Sequence, residues 1–282
     1  MMEAERPSTA CDQRQTMFFG RLSHLFVSPL NTILNGAEYI QTSLDKGSPE
    51  QQQEAIRLSA QAIQNSARWL DRLAQNLLDL TALFSGSLQP SCGPMELCGP
   101  LSHLLKLSSP YAEQQGITLH WSRDEMPLQV FASADGALAD RIVLNLLSNA
   151  IRFGKSGGNI WVTLEEMPGA CRLSIRDDGM GISEQACQLM QDPFRELTAQ
   201  TLQDGSGIGL FISNEFCKAM NWRLTVTGSA EGTEAAVVIP TGLPAVPDKI
   251  AMASGRMAEE VRRREQSVRV EKEMTALFGE LK

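Results

Sequence analysis

The sequence predicts an α+β fold: an N-terminal helical hairpin that forms a dimeric four-helix bundle, then an α/β sandwich. Three observations predict it. Ile56, Ala60, Ile63, Ala67, Leu70, Ala74, Leu77, Thr81 and Phe84 recur at alternating spacings of four and three, the heptad seam of a helix packed on a helix. Beyond residue 100 the pattern turns mixed, with short alternating segments between amphipathic ones. Glycine-containing blocks then fall where strands give way to helices. The expected limits are a short extension over 1–15, the hairpin over 16–87, the α/β module over 88–242, and a linker with a charged helix or tail over 243–282.

Taken in order, helix one is expected over 12–44, with Leu22, Phe26, Leu30, Ile33, Ala37, Ile40 and Leu44 as its apolar stripe. Lys46-Gly47 supplies the turn. Ser48 suits the N-cap of helix two, Pro49 its first position and Gln51 the return bond of a capping box; Gly86 ends the run. A lone hairpin buries little, so two copies are expected to pair into a homodimeric bundle. Residues 88–100 read as a linker. A helix follows over 101–115, then a strand over 117–121. Asp135 caps a helix carrying Ile142, Val143, Leu146, Leu147, Ala150 and Ile151. Strands are expected over 160–165 and 171–176, a helix over 210–220, and closing strands over 224–227 and 235–239. Gly242 to Pro247 reads as a stiff linker. The tail beyond it, dense in both charges, reads as a helix that docks on its own chain or a partner, or as a solvated tail.

Composition narrows the function. The formal net charge is −8, and no basic run stands before the mixed-sign tail, so no nucleic-acid partner is expected. No apolar stretch reaches the roughly 18–20 residues that cross a bilayer, and the polar N-terminus has no signal-peptide core. A soluble cytoplasmic protein with no membrane partner is expected. The six cysteines form no C-x-x-C pair, and with three histidines in the chain they read as free packed thiols in a reducing compartment.

Four blocks carry chemistry. Asn145 and Asn149 are one helical turn apart, and their amide oxygens suit Mg²⁺, which binds mainly through phosphate and water. Asn149 is the first choice of ligand and Asn145 the second. Arg152 lies one turn on and suits phosphate oxygens; Phe153 follows. Asp177 ends a strand before Gly179, Gly181 and Ile182, where a carboxylate can accept from the exocyclic amine of adenine. Pro193-Phe194-Arg195 precedes a polar stretch that reads as a lid. Gly205, Gly207 and Gly209, before Leu210, open a helix whose first N–H groups suit an anion. Each block alone fits a turn or a polar helix surface; all four within about 65 residues describe one ATP site.

Far upstream stands Ser23-His24-Leu25-Phe26-Val27-Ser28-Pro29-Leu30. His24 points away from the apolar stripe, and Ser28 sits one turn along the same face. Pro29 cannot donate to the carbonyl of Leu25, which bends the helix there.

These blocks resemble the sensor histidine kinases of two-component signalling. Asn145 to Phe153 resembles their N box, Asp177 to Ile182 the G1 box, Pro193 to Arg195 the F box and Gly205 to Leu210 the G2 box. Gly232-Thr233 resembles the G3 element, and Ser23 to Leu30 the H box. The resemblance implies a Bergerat-type ATP-binding fold, ATP with Mg²⁺, phosphorylation of His24, and transfer to an aspartate of a response-regulator receiver domain. Arg195 becomes a candidate for stabilising developing charge. Ser28 stands where the family often has Thr or Asn for dephosphorylating the regulator. Leu25 stands where the family usually has an acidic base, and Val27 where a basic residue is usual. This H box is equally similar to Caulobacter-type histidine phosphotransferases, so a phosphorelay adaptor and a regulator phosphatase stay open beside the kinase. Because about 16 residues precede the hairpin, input is expected from a separate sensor protein or from the tail.

Overall fold

The computed structural model describes residues 26–43, 48–121, 129–182, 206–229, 231–241, 249–279 and 281. Helix α1 covers 26–43, and the threonines in it turn inward on the helix: Thr32 Oγ1 donates to the Ser28 carbonyl at 3.2 Å. Its half-buried residues are Phe26, Pro29, Ile33, Gly36, Ile40 and Ser43. The expected stripe holds at Phe26, Ile33 and Ile40, but Leu30 is 45% exposed and Ala37 is exposed as well. Gly36 is half-buried against α2 instead. A Cβ there would lie 2.9 Å from Ile63 Cγ1, so the two helices close at the residue without a side chain. The expected extension of this helix toward residue 12 lies outside the described residues.

Helix α2, Pro49–Phe84, starts from the capping box its sequence announces. Gln51 N donates to Ser48 Oγ at 3.4 Å, and Ser48 N to Gln51 Oε1 at 3.1 Å. Gly86, at φ +65°, closes the far end. The seam is half-buried at Ile56, Ala60, Ile63, Leu70, Leu77 and Phe84, while Ala67, Ala74 and Thr81 are exposed. The deepest residues are instead Ser59, Leu73, Asp79 and Leu80. The C-terminal half of α2 meets more than one partner helix, so its buried face is wider than a two-helix seam.

The linker expected over 88–100 is partly structured. Strand β1, Gly93–Glu96, pairs antiparallel with β3, Phe131–Ala134. Four-residue strands, one holding Pro94, show too little alternation to be read from sequence. Helix α3, Cys98–Gln114, begins as Glu96 accepts from Cys98 N and Gly99 N, both at 2.8 Å. Strand β2 is Thr118–His120. Helix α4, Gly136–Phe153, opens on Asp135, which accepts from Ala137 N at 2.9 Å and Leu138 N at 3.2 Å. Strands β4, Asn159–Met167, and β5, Ala170–Asp177, follow, then α5, Ser206–Ala219, β6, Arg223–Ser229, and β7, Gly232–Pro240.

The sheet runs β2-β4-β5-β7-β6, parallel between β2 and β4 and antiparallel elsewhere. Alternation sorts its faces: Ile160, Val162 and Leu164 are buried while Trp161, Thr163 and Glu165 are exposed. One face therefore meets water, and α3, α4 and α5 cover the other. The tail forms α6, Lys249–Phe278. Of the readings open for it, the helix docked on its own chain is the one found: α6 packs on α2, α3 and α4. No described helix is long and apolar enough to cross a membrane.

Among the four described cysteines, Cys98, Cys171 and Cys217 are buried and Cys92 is exposed. Burial pushes the Cys171 and Cys217 thiols up to about 12, so the thiolate is scarce at neutral pH. Alkylation of the native protein should label Cys92 well before Cys171 or Cys217, read by mass spectrometry of timed digests. Equal labelling would show that the sheet and α5 open far more readily than this packing allows.

Candidate functional site

The motif blocks converge on the edge between α4, the end of β5 and the start of α5. Met180 N donates to the Phe153 carbonyl at 3.4 Å, tying the loop after β5 to the end of α4. A Cβ on Gly179 would overlap that same carbonyl oxygen. Gly181, at φ +76°, has no room for a side chain against the Ser229 carbonyl. The immediate neighbours of both glycines are backbone of this chain, so they close the loop.

Asp177 is buried. Its Oδ1 accepts from Gly179 N at 2.9 Å and from Thr233 N at 3.3 Å. Gly232, at φ +136°, packs against the Asp177 carbonyl, so β7 reaches the same carboxylate. Burial raises the Asp177 pKa above the usual carboxylate range, against the lowering effect of the two backbone donors. Among the described residues nothing donates to its Oδ2. The neighbouring Asp178 accepts from Asn159 Nδ2 at 3.0 Å and Asn159 N at 2.9 Å. The Asn159 side chain, first among the causes, holds the Asp178 pKa below its ordinary value.

Asn145 and Asn149 differ in environment although they share a helix face. Asn145 is buried, and its Nδ2 donates to Ser213 Oγ on α5 at 2.9 Å. Its Oδ1 accepts from Arg72 Nη2 of α2 at 3.3 Å. Asn149 Nδ2 is buried with no hydrogen-bond partner among the described residues. Arg152 places its guanidinium 5.5 Å from the centroid of the Phe153 ring. Gly207 and Gly209 lie inside α5 rather than before it. A Cβ on Gly209 would overlap Asn145 Oδ1, which is why a glycine sits within that helix. Leu210 is buried and Ile182 half-buried against the core.

Ser28 is exposed on α1. His24, Phe194, Arg195 and Gly205, with the expected lid, lie outside the described residues. Sequence reasoning missed three participants. Ser213 stands four residues after Gly209 and faces Asn145; helical spacing would have found it. Asn159 and Arg72 carried no signal, because each acts on a residue distant in sequence.

The residues present fit a nucleotide with a divalent cation. The orphaned Asn149 Nδ2, a donor, would be satisfied by a phosphate oxygen, and the Asp177 oxygen free of described donors would be satisfied by the adenine amine. Asn149, with Asn145 second, would hold the cation, and Asp177 would accept from adenine.

Residues 134–243 match the family described as histidine kinase-, DNA gyrase B-, and HSP90-like ATPase. The cell-division control histidine kinase PdhS of Brucella canis is 27% identical over 251 residues, covering 84% of this chain and 23% of that protein. PdhS of Brucella suis matches equally. The chain thus spans 23% of the length of these curated relatives. Among solved structures, full-length ShkA in complex with AMPPNP has a TM-score of 0.56 at 27% identity, over 85% of this chain and 48% of that one. Acinetobacter baumannii histidine kinase AdeS shares the fold, with a TM-score of 0.59 at 16% identity over 78% of this chain and 98% of that one. Histidine kinase ThkA in complex with response regulator protein TrrA shares it too, at 0.59 and 16% over 80% of this chain and 61% of that one.

Proposed function

We propose that this chain, a relative of the sensor histidine kinases with a Bergerat-type ATPase module, binds ATP with Mg²⁺, phosphorylates His24 and passes the phosphoryl group to an aspartate of a response regulator. The observation that carries the reading is the convergence on one edge of Asn149, Asp177, Gly179, Gly181 and Gly209, which come from three blocks separate in sequence. Isothermal titration of the full chain with ATP and Mg²⁺ tests it: one site per chain is expected, and no binding heat would overturn it. The division into a hairpin over 16–87, a nucleotide module over 88–242 and a C-terminal segment over 243–282 is part of this proposal.

Phosphorylation would proceed by attack of the neutral His24 imidazole on the γ-phosphorus. An N–P bond forms, the bond to the ADP oxygen breaks, and the second imidazole nitrogen gives up its proton. Catalysis would rest on positioning and charge stabilisation, with Arg152 and Arg195 as the phosphate-side cations. A homodimer is proposed from α1 and α2. Val27, Leu30, Leu34 and Leu58 are 52%, 45%, 65% and 55% exposed in the single chain, an apolar face that a second hairpin would cover.

Leu25 favours a second reading, a phosphorelay adaptor or regulator phosphatase, because no carboxylate there takes the imidazole proton. A positioned base is worth about 10²–10⁴-fold, while an unperturbed histidine, with a pKa of about 6.5, is mostly neutral at pH 7. Autophosphorylation should therefore be slow, and Leu25→Glu should speed it, measured as acid-labile phosphate on His24 with the oligomeric state checked alongside. A folded, ATP-binding Leu25→Glu protein with no gain, beside a wild type phosphorylated only by a regulator, would favour the adaptor. In the phosphatase reading, the exposed Ser28 hydroxyl positions the hydrolytic water.

A further inference from the structure

Helix α6 holds two parts of the chain together, through buried polar contacts on one side and ion pairs on the other. Asp140 of α4 is its anchor. It accepts from Gln266 Nε2 at 2.7 Å, Arg262 Nη2 at 3.1 Å and Arg269 Nη1 at 3.4 Å. Gln266 is 1% exposed, and its Oε1 meets His103 Nδ1 of α3 at 3.1 Å. Thr275 Oγ1 lies 3.1 Å from the Tyr111 hydroxyl, and Val270 and Met274 are buried beside it. On its other side α6 grips α2: Lys272 Nζ is 2.8 Å from Asp71, and Glu273 is 3.6 Å from Arg72 Nη2.

The grip ends in the nucleotide site. Arg72 Nη2 reaches Asn145 Oδ1 at 3.3 Å and Ser148 Oγ at 3.5 Å. Burial lowers the Arg72 pKa, Glu273 opposes that, and Arg152 and Arg141 add to it. A guanidinium already sits on an amide oxygen that would suit a divalent cation. The two cations repel, and one oxygen cannot serve both at close range.

We propose that α6 is an autoinhibitory clasp: it pins α2 to the nucleotide module so that Arg72 occupies Asn145 and keeps a nucleotide-bound divalent cation from that oxygen. The proposal rests on the ATP reading above. Binding of the nucleotide–metal complex then requires α2 to leave, and its apparent affinity is reduced by the fraction of chains in which α2 has left. ATP without metal does not compete for Asn145 and escapes most of this reduction.

The test is calorimetric titration of the full chain with ATP in Mg²⁺ and with ATP in EDTA. Arg72→Met keeps the length of the side chain and removes the charged bond; it should tighten Mg²⁺–ATP binding by about tenfold and leave metal-free ATP nearly unchanged. Met274→Asp places a carboxylate in the buried face of α6. Hydrogen exchange should show lost protection in α6 and in residues 66–84 with the sheet still protected, and Mg²⁺–ATP should again bind more tightly. Unchanged or weaker Mg²⁺–ATP binding by Arg72→Met would overturn the clasp while leaving the ATP reading intact. Should wild type and variants alike bind no nucleotide, both fall.

Discussion

Asp177→Asn should weaken ATP binding by roughly 10–150-fold, the loss of a charged hydrogen bond worth about 1.5–3 kcal/mol. The geometry makes the substitution unusually clean. Oδ1 of Asp177 accepts from Gly179 N and Thr233 N, and an asparagine oxygen can keep both bonds. What changes is the other atom, which turns from an acceptor into an NH₂ donor that cannot accept from the adenine amine proposed to meet it. The burial that raises the Asp177 pKa is relieved by a neutral amide, so the variant should fold at least as well as the parent. Calorimetry beside a thermal melt checks this. Undiminished affinity in a folded variant would remove Asp177 from the nucleotide site.

The largest stability effect is expected at Asp79. Its carboxylate takes a two-pronged bond from Arg141, with Nη1 to Oδ1 at 2.6 Å, joining α2 to α4. The side chains of the pair are 10% and 22% exposed. Asp79→Ala would leave the Arg141 charge half-sheltered, with the Phe216 ring 5.4 Å from the guanidinium carbon. Breaking one side of such a pair costs about 3–5 kcal/mol when burial is complete, so a loss toward the lower end of that range is expected in urea denaturation. Replacing both partners, Asp79→Leu with Arg141→Leu, should recover most of it, because no charge is then stranded. A loss below about 1 kcal/mol for Asp79→Ala, the scale of a surface pair, would mean that α2 rests only loosely on the module.

Local chemistry was legible in the sequence. The Ser48–Gln51 box and the Asp135 cap lie within a few residues of what they stabilise, and the alternation over 160–165 needs no knowledge of a partner strand. The motif blocks were legible as a set, and the fold brings together those of their members that are described. Long-range pairing was hidden. Nothing near Arg72 announces Asn145, 73 positions away, and nothing in β1 announces β3. In the single chain Leu30 and Ala37 of the α1 stripe are exposed, and Gly36, an apparent gap in an apolar pattern, is where α1 meets Ile63 of α2. The tail resisted reading for a related reason. Its buried contacts run through Gln266, Thr275 and arginines, residue types that composition assigns to solvent.

Phosphoryl transfer to His24 is measured most directly by incubating the purified full chain with γ-labelled ATP and Mg²⁺. The expected result is slow accumulation of acid-labile, base-stable phosphate, mapped to His24, absent in His24→Ala, reduced in Asp177→Asn at limiting ATP, and chased onto an aspartate when a cognate receiver domain is added. A folded, ATP-binding wild type that stays unlabelled over hours, yet accepts phosphate on His24 from a phosphorylated receiver domain, would contradict the kinase and leave the phosphorelay adaptor.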